Sequence, residues 1–252
     1  MSTFDGFKKS NVDIDIEEKI SSHIEKYLVS GIDILKHSMV LTRRQWFKRL
    51  LAHIELFKMT LDVPGDIAEL GVFRGIGLMT WANLLESYCI GDRTKVVWGF
   101  DNWKGFTSFE LEDGSEIKDA QKKLGGFNPE FYYNELVDAI KIFDQDRFIP
   151  NKPRIKLQEG QIEESIPRFI KENPGVRFSL IHFDCDLYAP TKVALEYLYP
   201  LLSKGGVMLF DEYGIHDWPG ETKAVDEFLE RNENLKLHKF SWTNAPAAYL
   251  IK

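Results

Sequence analysis

Two strongly apolar runs in this chain each end on carboxylates. Phe178-Ser179-Leu180-Ile181-His182-Phe183 leads into Asp184-Cys185-Asp186, and Gly206-Val207-Met208-Leu209-Phe210 leads into Asp211-Glu212. A carboxylate that ends an apolar strand lies at the carboxyl edge of a sheet, where open α/β sheets bind their ligands. Asp184 and Asp211 are 27 residues apart. That spacing leaves room for one crossover helix, so the two strands are expected to be parallel neighbours. Asp184, Asp211 and Glu212 then converge on one mouth. Three clustered carboxylates repel one another unless a hard cation or several donors compensate, and oxygen ligands of this kind suit Mg²⁺, Mn²⁺ or Ca²⁺.

The rest of the chain supplies a β/α alternation around those two strands. Residues 66–70, 95–100 and 154–157 read as strands, and 75–88, 129–143, 162–172, 190–202 and 221–232 as helices. Pro167 is expected to interrupt its helix near the start. Residues 235–240 and 247–251 suit an antiparallel hairpin on the sheet. Two helical stretches, at 13–30 and 43–61, precede the first strand and stand outside the alternation; residues 1–12 are expected to fray. The fold class is therefore α/β, a mostly parallel sheet with a C-terminal antiparallel hairpin and an N-terminal helical cap. Residues 1–62 form the cap, lid or oligomerisation segment and residues 63–252 the α/β domain. The polar, Gly-rich stretch 102–128 exceeds the ~12–15 residues usual for a structureless connection, so it is expected to be a lid.

The first βα turn is Glu69-Leu70-Gly71-Val72-Phe73-Arg74-Gly75-Ile76-Gly77. Its glycines let a ligand approach the backbone and permit positive φ. It does not match the dinucleotide fingerprint G-x-G-x-x-G, so NAD is not favoured. Asp101, at the end of the second strand, can accept both hydroxyls of a ribose. Glycine turn and strand-end acid together point to an adenosine-containing cofactor at Glu69, Gly71, Gly75 and Asp101. His182 lies inside its strand and is expected to pack in the core. Asp186 has two readings, a catalytic carboxylate or the N-cap of the helix that begins near Ala189. His216 and Trp218, on the loop after the acidic pair, are candidates to line an acceptor site.

Composition narrows the partners. A net charge of −7 argues against a nucleic-acid phosphate partner. No apolar run reaches the ~18 residues of a membrane span, and the N-terminus carries no signal-peptide core. Two cysteines, Cys89 and Cys185, form no framework, and a reducing cytoplasm is the expected location. The apolar stripes of the N-terminal helices have to be buried somewhere, which leads us to expect a homo-oligomer.

Taken together, PGDIAELGVFRG at 64–75, FDNWKGF at 100–106, HFDCDLYAPTKVALEYLYPLLSKGGVMLFDEYG at 182–214 and KAVDEF at 223–228 resemble the macrocin O-methyltransferase (TylF/MycF) family over roughly residues 40–232. The resemblance implies a Rossmann-like class I methyltransferase that uses S-adenosylmethionine and Mg²⁺. It implies methyl transfer to a hydroxyl of a small molecule, a sugar or natural-product intermediate. Carried over, Asp184, Asp211 and Glu212 hold the metal, and Glu69, Gly71 and Asp101 belong to the cofactor site. The family pattern D-G-D reads Asp184-Cys185-Asp186 here, and its paired aspartates read Asp211-Glu212. A carboxylate beside the metal takes the hydroxyl proton, and Asp184 and Asp186 are both candidates. Two alternatives stay open at this point: an altered, hydroxylase-like relative of the same fold, and a non-catalytic cofactor- or Ca²⁺-binding protein.

Overall fold

A computed structural model describes residues 10–117 and 121–252. Four helices come first: α1 (Asn11–Lys26), α2 (Gly31–Lys36), α3 (Ser38–Leu41) and α4 (Arg44–Lys58). The single helix expected over 13–30 is cut short because two caps compete for that span. Ser10 opens α1 with a capping box to Asp13, and Ser30 opens α2 by accepting the N–H of Asp33. Between them Leu28 takes a positive φ of 49°. Residues α1 to α3 bury no side chain, whereas α4 buries Ala52, His53, Leu56 and Phe57.

The alternation follows: β1 (Asp66–Leu70), α5 (Ile76–Tyr88), β2 (Val97–Asp101), α6 (Glu130–Asp146), β3 (Ile155–Glu159), α7 (Ile162–Glu172), β4 (Phe178–Phe183), α8 (Tyr188–Leu198), β5 (Leu202–Phe210), α9 (Pro219–Glu230) and β6 (Ala248–Ile251). The strands form one six-stranded sheet in the order β3-β2-β1-β4-β5-β6. All neighbours are parallel except β5 and β6. The first arm of the C-terminal hairpin is present as one antiparallel bridge from His238 to Tyr249. Pro167 sits within α7 without ending it, and the buried Ser165, Ile166 and Phe169 hold the helix against the sheet.

β4 is buried at all six positions, as a central parallel strand covered on both faces must be. Alternate side chains feed two cores. Ala68, Phe100, Ile181 and Phe210 face α7, α8 and α9, and Ile67, Val97, Leu180 and Leu209 face α4 and α5. Register then fixes the working edge. Leu70 pairs with both Phe100 and Phe183, and Phe183 pairs with Phe210. Gly71, Asp101, Asp184 and Asp211 therefore leave the sheet in one row.

Candidate active site

A cavity of about 1090 Å³ opens above that row. It runs from the first βα turn and Asp101, past Asp184, Asp186 and Glu212, to Trp46 and Phe47 of α4 and to Phe106, Phe127 and Trp218. Segment 102–128 covers one side, with residues 118–120 outside the described residues. It is tied down by polar contacts. Lys122 Nζ donates to the carbonyls of Asp113 and Asp217, and Asp113 Oδ1 accepts the N–H of Tyr188 at 2.7 Å. The rings of Phe106 and Phe127 lie 5.7 and 6.2 Å from that of Trp218. His216 points to solvent beside Asp217 and does not line the cavity.

On the β1–β2 side the carboxylates are already engaged by the chain. Glu69 Oε1 accepts the N–H of Leu78 at 2.9 Å, closing the first turn of α5 from below. Asp101 Oδ2 accepts the N–H groups of Val72 and Phe73, both at 2.9 Å, and Oδ1 accepts that of Trp103 at 2.8 Å. Burial pushes the Asp101 carboxyl up while these donors pull it back. Gly71, at φ +88°, is required by close approach: a Cβ there would stand 1.9 Å from the Asp184 carbonyl oxygen. Gly75 caps α5 in the left-handed region.

On the β4–β5 side the carboxylates crowd one another. Donor oxygens of Asp184, Asp186 and Glu212 all lie within 4.8 Å of each other. Burial, then the neighbouring carboxylates, pushes Asp186 and Glu212 far above the ordinary range. Burial also lifts Asp184 to about 6, against the pull of Arg49. Glu212 Oε2 is buried and has no hydrogen-bond partner. Glu221 lies behind it, accepting the Glu212 N–H at 2.9 Å with its own second oxygen unpartnered. Asp186 holds a positive φ of 63°, a strained conformation outside glycine. It does not cap α8: the N-cap is Leu187, and Asp113 from the covering segment satisfies the first helical N–H.

Asp211 behaves differently. Its Oδ1 accepts from His182 Nε2 at 3.2 Å, and its Oδ2 pairs with Arg49 Nη2 at 2.5 Å. Burial opposes its charge, but Arg49 and His182 together hold it well below the usual carboxylate range. His182 is fully buried, as expected of a core histidine, yet it is also a charged link. Its Nδ1 lies 3.3 Å from Glu69 Oε2. Burial disfavours the imidazolium, but Asp211 and Glu69 push its pKa up to about 10. The Trp81 indole N–H, 3.4 Å from the same Nδ1, is left as a packing contact by a doubly protonated ring. Beside it the ring of His53, whose Nε2 is buried and unpartnered, is kept neutral by burial and by the charges of His182 and Arg49.

Arg49 and His53 were not legible as site residues. Both come from α4, at i and i+4, and Arg49 reaches Asp184 across a sequence separation of 135. Only the helical period, which puts both on the face that carries Leu56, connects them to the core.

The donor set suits a hard divalent cation, being all carboxylate with a buried oxygen on Glu212 that nothing else satisfies. Gly71 lines the cavity beside Asp101, so a ligand hydroxyl can approach that carboxylate, whereas Gly75 is packed against Leu136 at the start of α5.

The model of the TylF macrocin O-methyltransferase family matches residues 8–245. The chain is 30% identical over 221 residues to mycinamicin III 3''-O-methyltransferase of Micromonospora griseorubida, covering 84% of this chain and 78% of that protein. It is 30% identical over 179 residues to a tetracenomycin-C rhamnosyl 4'-O-methyltransferase of Streptomyces olivaceus, covering 67% and 63%. Among solved structures, the calicheamicin methyltransferase CalS11 superposes with a TM-score of 0.89 at 30% identity, over 97% of this chain and 94% of that one. Among the described residues no helix is long and apolar enough to cross a membrane.

Proposed function

The chain belongs to the macrocin O-methyltransferase family, and from that membership we propose that it moves the methyl group of S-adenosylmethionine to a sugar hydroxyl of a natural-product intermediate, with Mg²⁺ bound at the acidic mouth. Membership sets aside the non-catalytic alternative. The observation that carries the metal reading is the buried, unpartnered Glu212 Oε2 beside Asp184 and Asp186. We take Asp184, Glu212 and Asp211, the last through the oxygen that Arg49 holds in this structure, as the cation's ligands, and Gly71 and Asp101 as the cofactor's floor, with Gly75 starting α5 behind it. Glu69 serves that floor from beneath, through Leu78 and His182.

When bound, S-adenosylmethionine supplies an electrophilic methyl group, and a divalent cation lowers the pKa of the acceptor hydroxyl and fixes its position. The chain's own residues do the rest. Asp186, next to the cation ligands, is the base that takes the hydroxyl proton; Asp184 is then held as a ligand. Phe106, Phe127 and Trp218 exclude water from the transfer path. Trp46 and Phe47 offer an apolar wall to the acceptor. The relative named as a methyltransferase of a rhamnosyl tetracenomycin supports the acceptor class.

S-adenosylhomocysteine release from a panel of glycosylated acceptors tests this. Turnover should vanish in EDTA and return with Mg²⁺ or Mn²⁺; full turnover in excess chelator would remove the metal from the reading. We further propose that residues 1–62 form a cap and self-association segment on the catalytic unit 63–252. Support comes from the exposed Val12, Leu28, Leu35 and Val40 of a helical segment that buries nothing between α1 and α3. A monomeric mass by light scattering at micromolar concentration would overturn it. Two free cysteines fit a cytoplasmic location.

A further inference from the structure

Arg49 approaches the acidic mouth from α4, and one of its nitrogens serves two carboxylates. Nη2 stands 2.6 Å from Asp184 Oδ2 and 2.5 Å from Asp211 Oδ2. Any cation that bridges those two oxygens has to occupy the space that this nitrogen fills. We infer that Arg49 is an internal counter-cation which competes with the divalent ion for Asp184 and Asp211. The inference rests on the metal reading above and adds a residue outside the carboxylate set.

Three features mark the guanidinium as replaceable rather than structural. Arginine binds most firmly when its planar fork engages carboxylates through two nitrogens. Here Nη2 alone makes both contacts, and the Arg49 Nε is buried without a partner. The side chain is one-third exposed toward the cavity, so it has somewhere to go. By contrast Arg154 donates through all three nitrogens, to Glu86 and to the carbonyls of Lys95 and Asp92. Its neighbour Arg147 uses two, to Glu86, Asp144 and the carbonyl of Lys152. Those are cations built to stay.

The exchange also has a charge logic. Without a divalent ion, Asp184 and Asp211 would face each other uncompensated on one side, since His182 reaches only Asp211. Arg49 supplies the missing charge. A divalent ion brings two charges to the same place and repels the guanidinium, which then leaves into the cavity near Trp46 and Phe47. Because Arg49 is on the first half of α4, which is anchored to the core only from Ala52 onward, the exchange loosens the hold of the N-terminal helices on the mouth. Loading of the ion and the attachment of that segment are thereby coupled.

Mn²⁺ binding to the full-length protein, read by electron paramagnetic resonance titration, tests this without any turnover. Removing the competitor in Arg49→Met should tighten Mn²⁺ binding at least about tenfold, and Arg49→Lys, which keeps one charge on a shorter reach, should fall between. Mg²⁺ should raise the melting temperature of Arg49→Met more than that of wild type. In wild type Mg²⁺ should speed hydrogen exchange of the backbone over residues 43–50, and in Arg49→Met it should not. Equal or weaker Mn²⁺ binding by both variants overturns the competition while leaving the metal site standing. Binding by Arg49→Met but not by wild type supports the competition and refutes a metal requirement of the native enzyme. Binding by none of the three proteins overturns both.

Discussion

The two halves of the strand-end edge use carboxylates in opposite ways. Around β1 and β2, Glu69 and Asp101 accept four backbone N–H groups between them. Around β4 and β5, Glu212 and Glu221 each retain an oxygen that no donor among the described residues satisfies, and Asp186 faces Glu212 directly. A carboxylate met by backbone donors is a finished structural part, and it shapes a floor on which a hydroxylated ligand can lie. Carboxylates forced together are unfinished, and only protons or a cation complete them. On the proposed reading, the first half is a cofactor site shaped before the cofactor arrives. The second gives a site whose chemistry depends on what fills it.

The largest expected effect lies on the unfinished side. Asp186 sits at a strained φ of 63° beside Glu212, a position that the backbone tolerates at a cost of order 1–3 kcal/mol. If it takes the acceptor's proton, Asp186→Asn should lower kcat by about 10²–10⁴-fold with little change in cofactor affinity. Single-turnover kinetics with calorimetry separates the two. A kcat within threefold of wild type would move the base role to Asp184.

The contrast between the halves was only partly visible in the sequence. That the two acidic strands are parallel neighbours followed from apolar runs and spacing, and the acidic edge followed from where those runs stop. The sequence leads us to expect Asp184, Asp211 and Glu212 to converge; at the ends of β4 and β5 the clustered carboxylates are Asp184, Asp186 and Glu212. Spacing along the chain could not show Arg49, because an arginine on an amphipathic helix reads as its solvated face until the helix is docked. Nor could it show that Asp211 gives its oxygens to His182 and Arg49 while Asp186 joins Asp184 and Glu212. A residue's position on a strand end is encoded locally; its choice among several partners at the edge is a tertiary matter. The same holds for Asp186, whose capping role went to Asp113, 75 residues before the Tyr188 N–H that it accepts.

Next in size are two substitutions that should behave as opposites. Glu212→Gln leaves a neutral group where burial and the other carboxylates already disfavour charge. In EDTA its melting temperature should match wild type, yet Mn²⁺ affinity should fall by at least about 10–100-fold, the loss seen when only a group supporting a ligand is removed. Asp101→Ala should do the reverse. It strips three backbone donors of their acceptor, weakening S-adenosylmethionine binding by about 1–3 kcal/mol and lowering stability by a similar amount, while Mn²⁺ affinity holds. Stability and ion affinity falling together in both variants would show that the two halves are one site.

The smallest effect probes a residue whose side chain bonds both halves. His182 bonds Glu69 on the cofactor side and Asp211 on the acidic side, and its pKa is pushed up to about 10. A group whose pKa is higher folded than unfolded gives its full stabilisation below the unfolded value, about 6.5. That stabilisation is lost as pH rises toward the folded value. In the metal-free protein the unfolding free energy should therefore decline between pH 7 and pH 9, by up to about 1.4 kcal/mol per pH unit from this single proton. His182→Gln keeps a donor near Asp211 but cannot carry the charge, so it should flatten the slope even if it lowers overall stability. Urea denaturation at pH 7, 8 and 9 reads the difference directly. An identical slope in the variant would mean that the imidazolium does not join the halves, and that Glu69 and Asp211 are held by their other partners, Leu78 and Arg49, independently of one another.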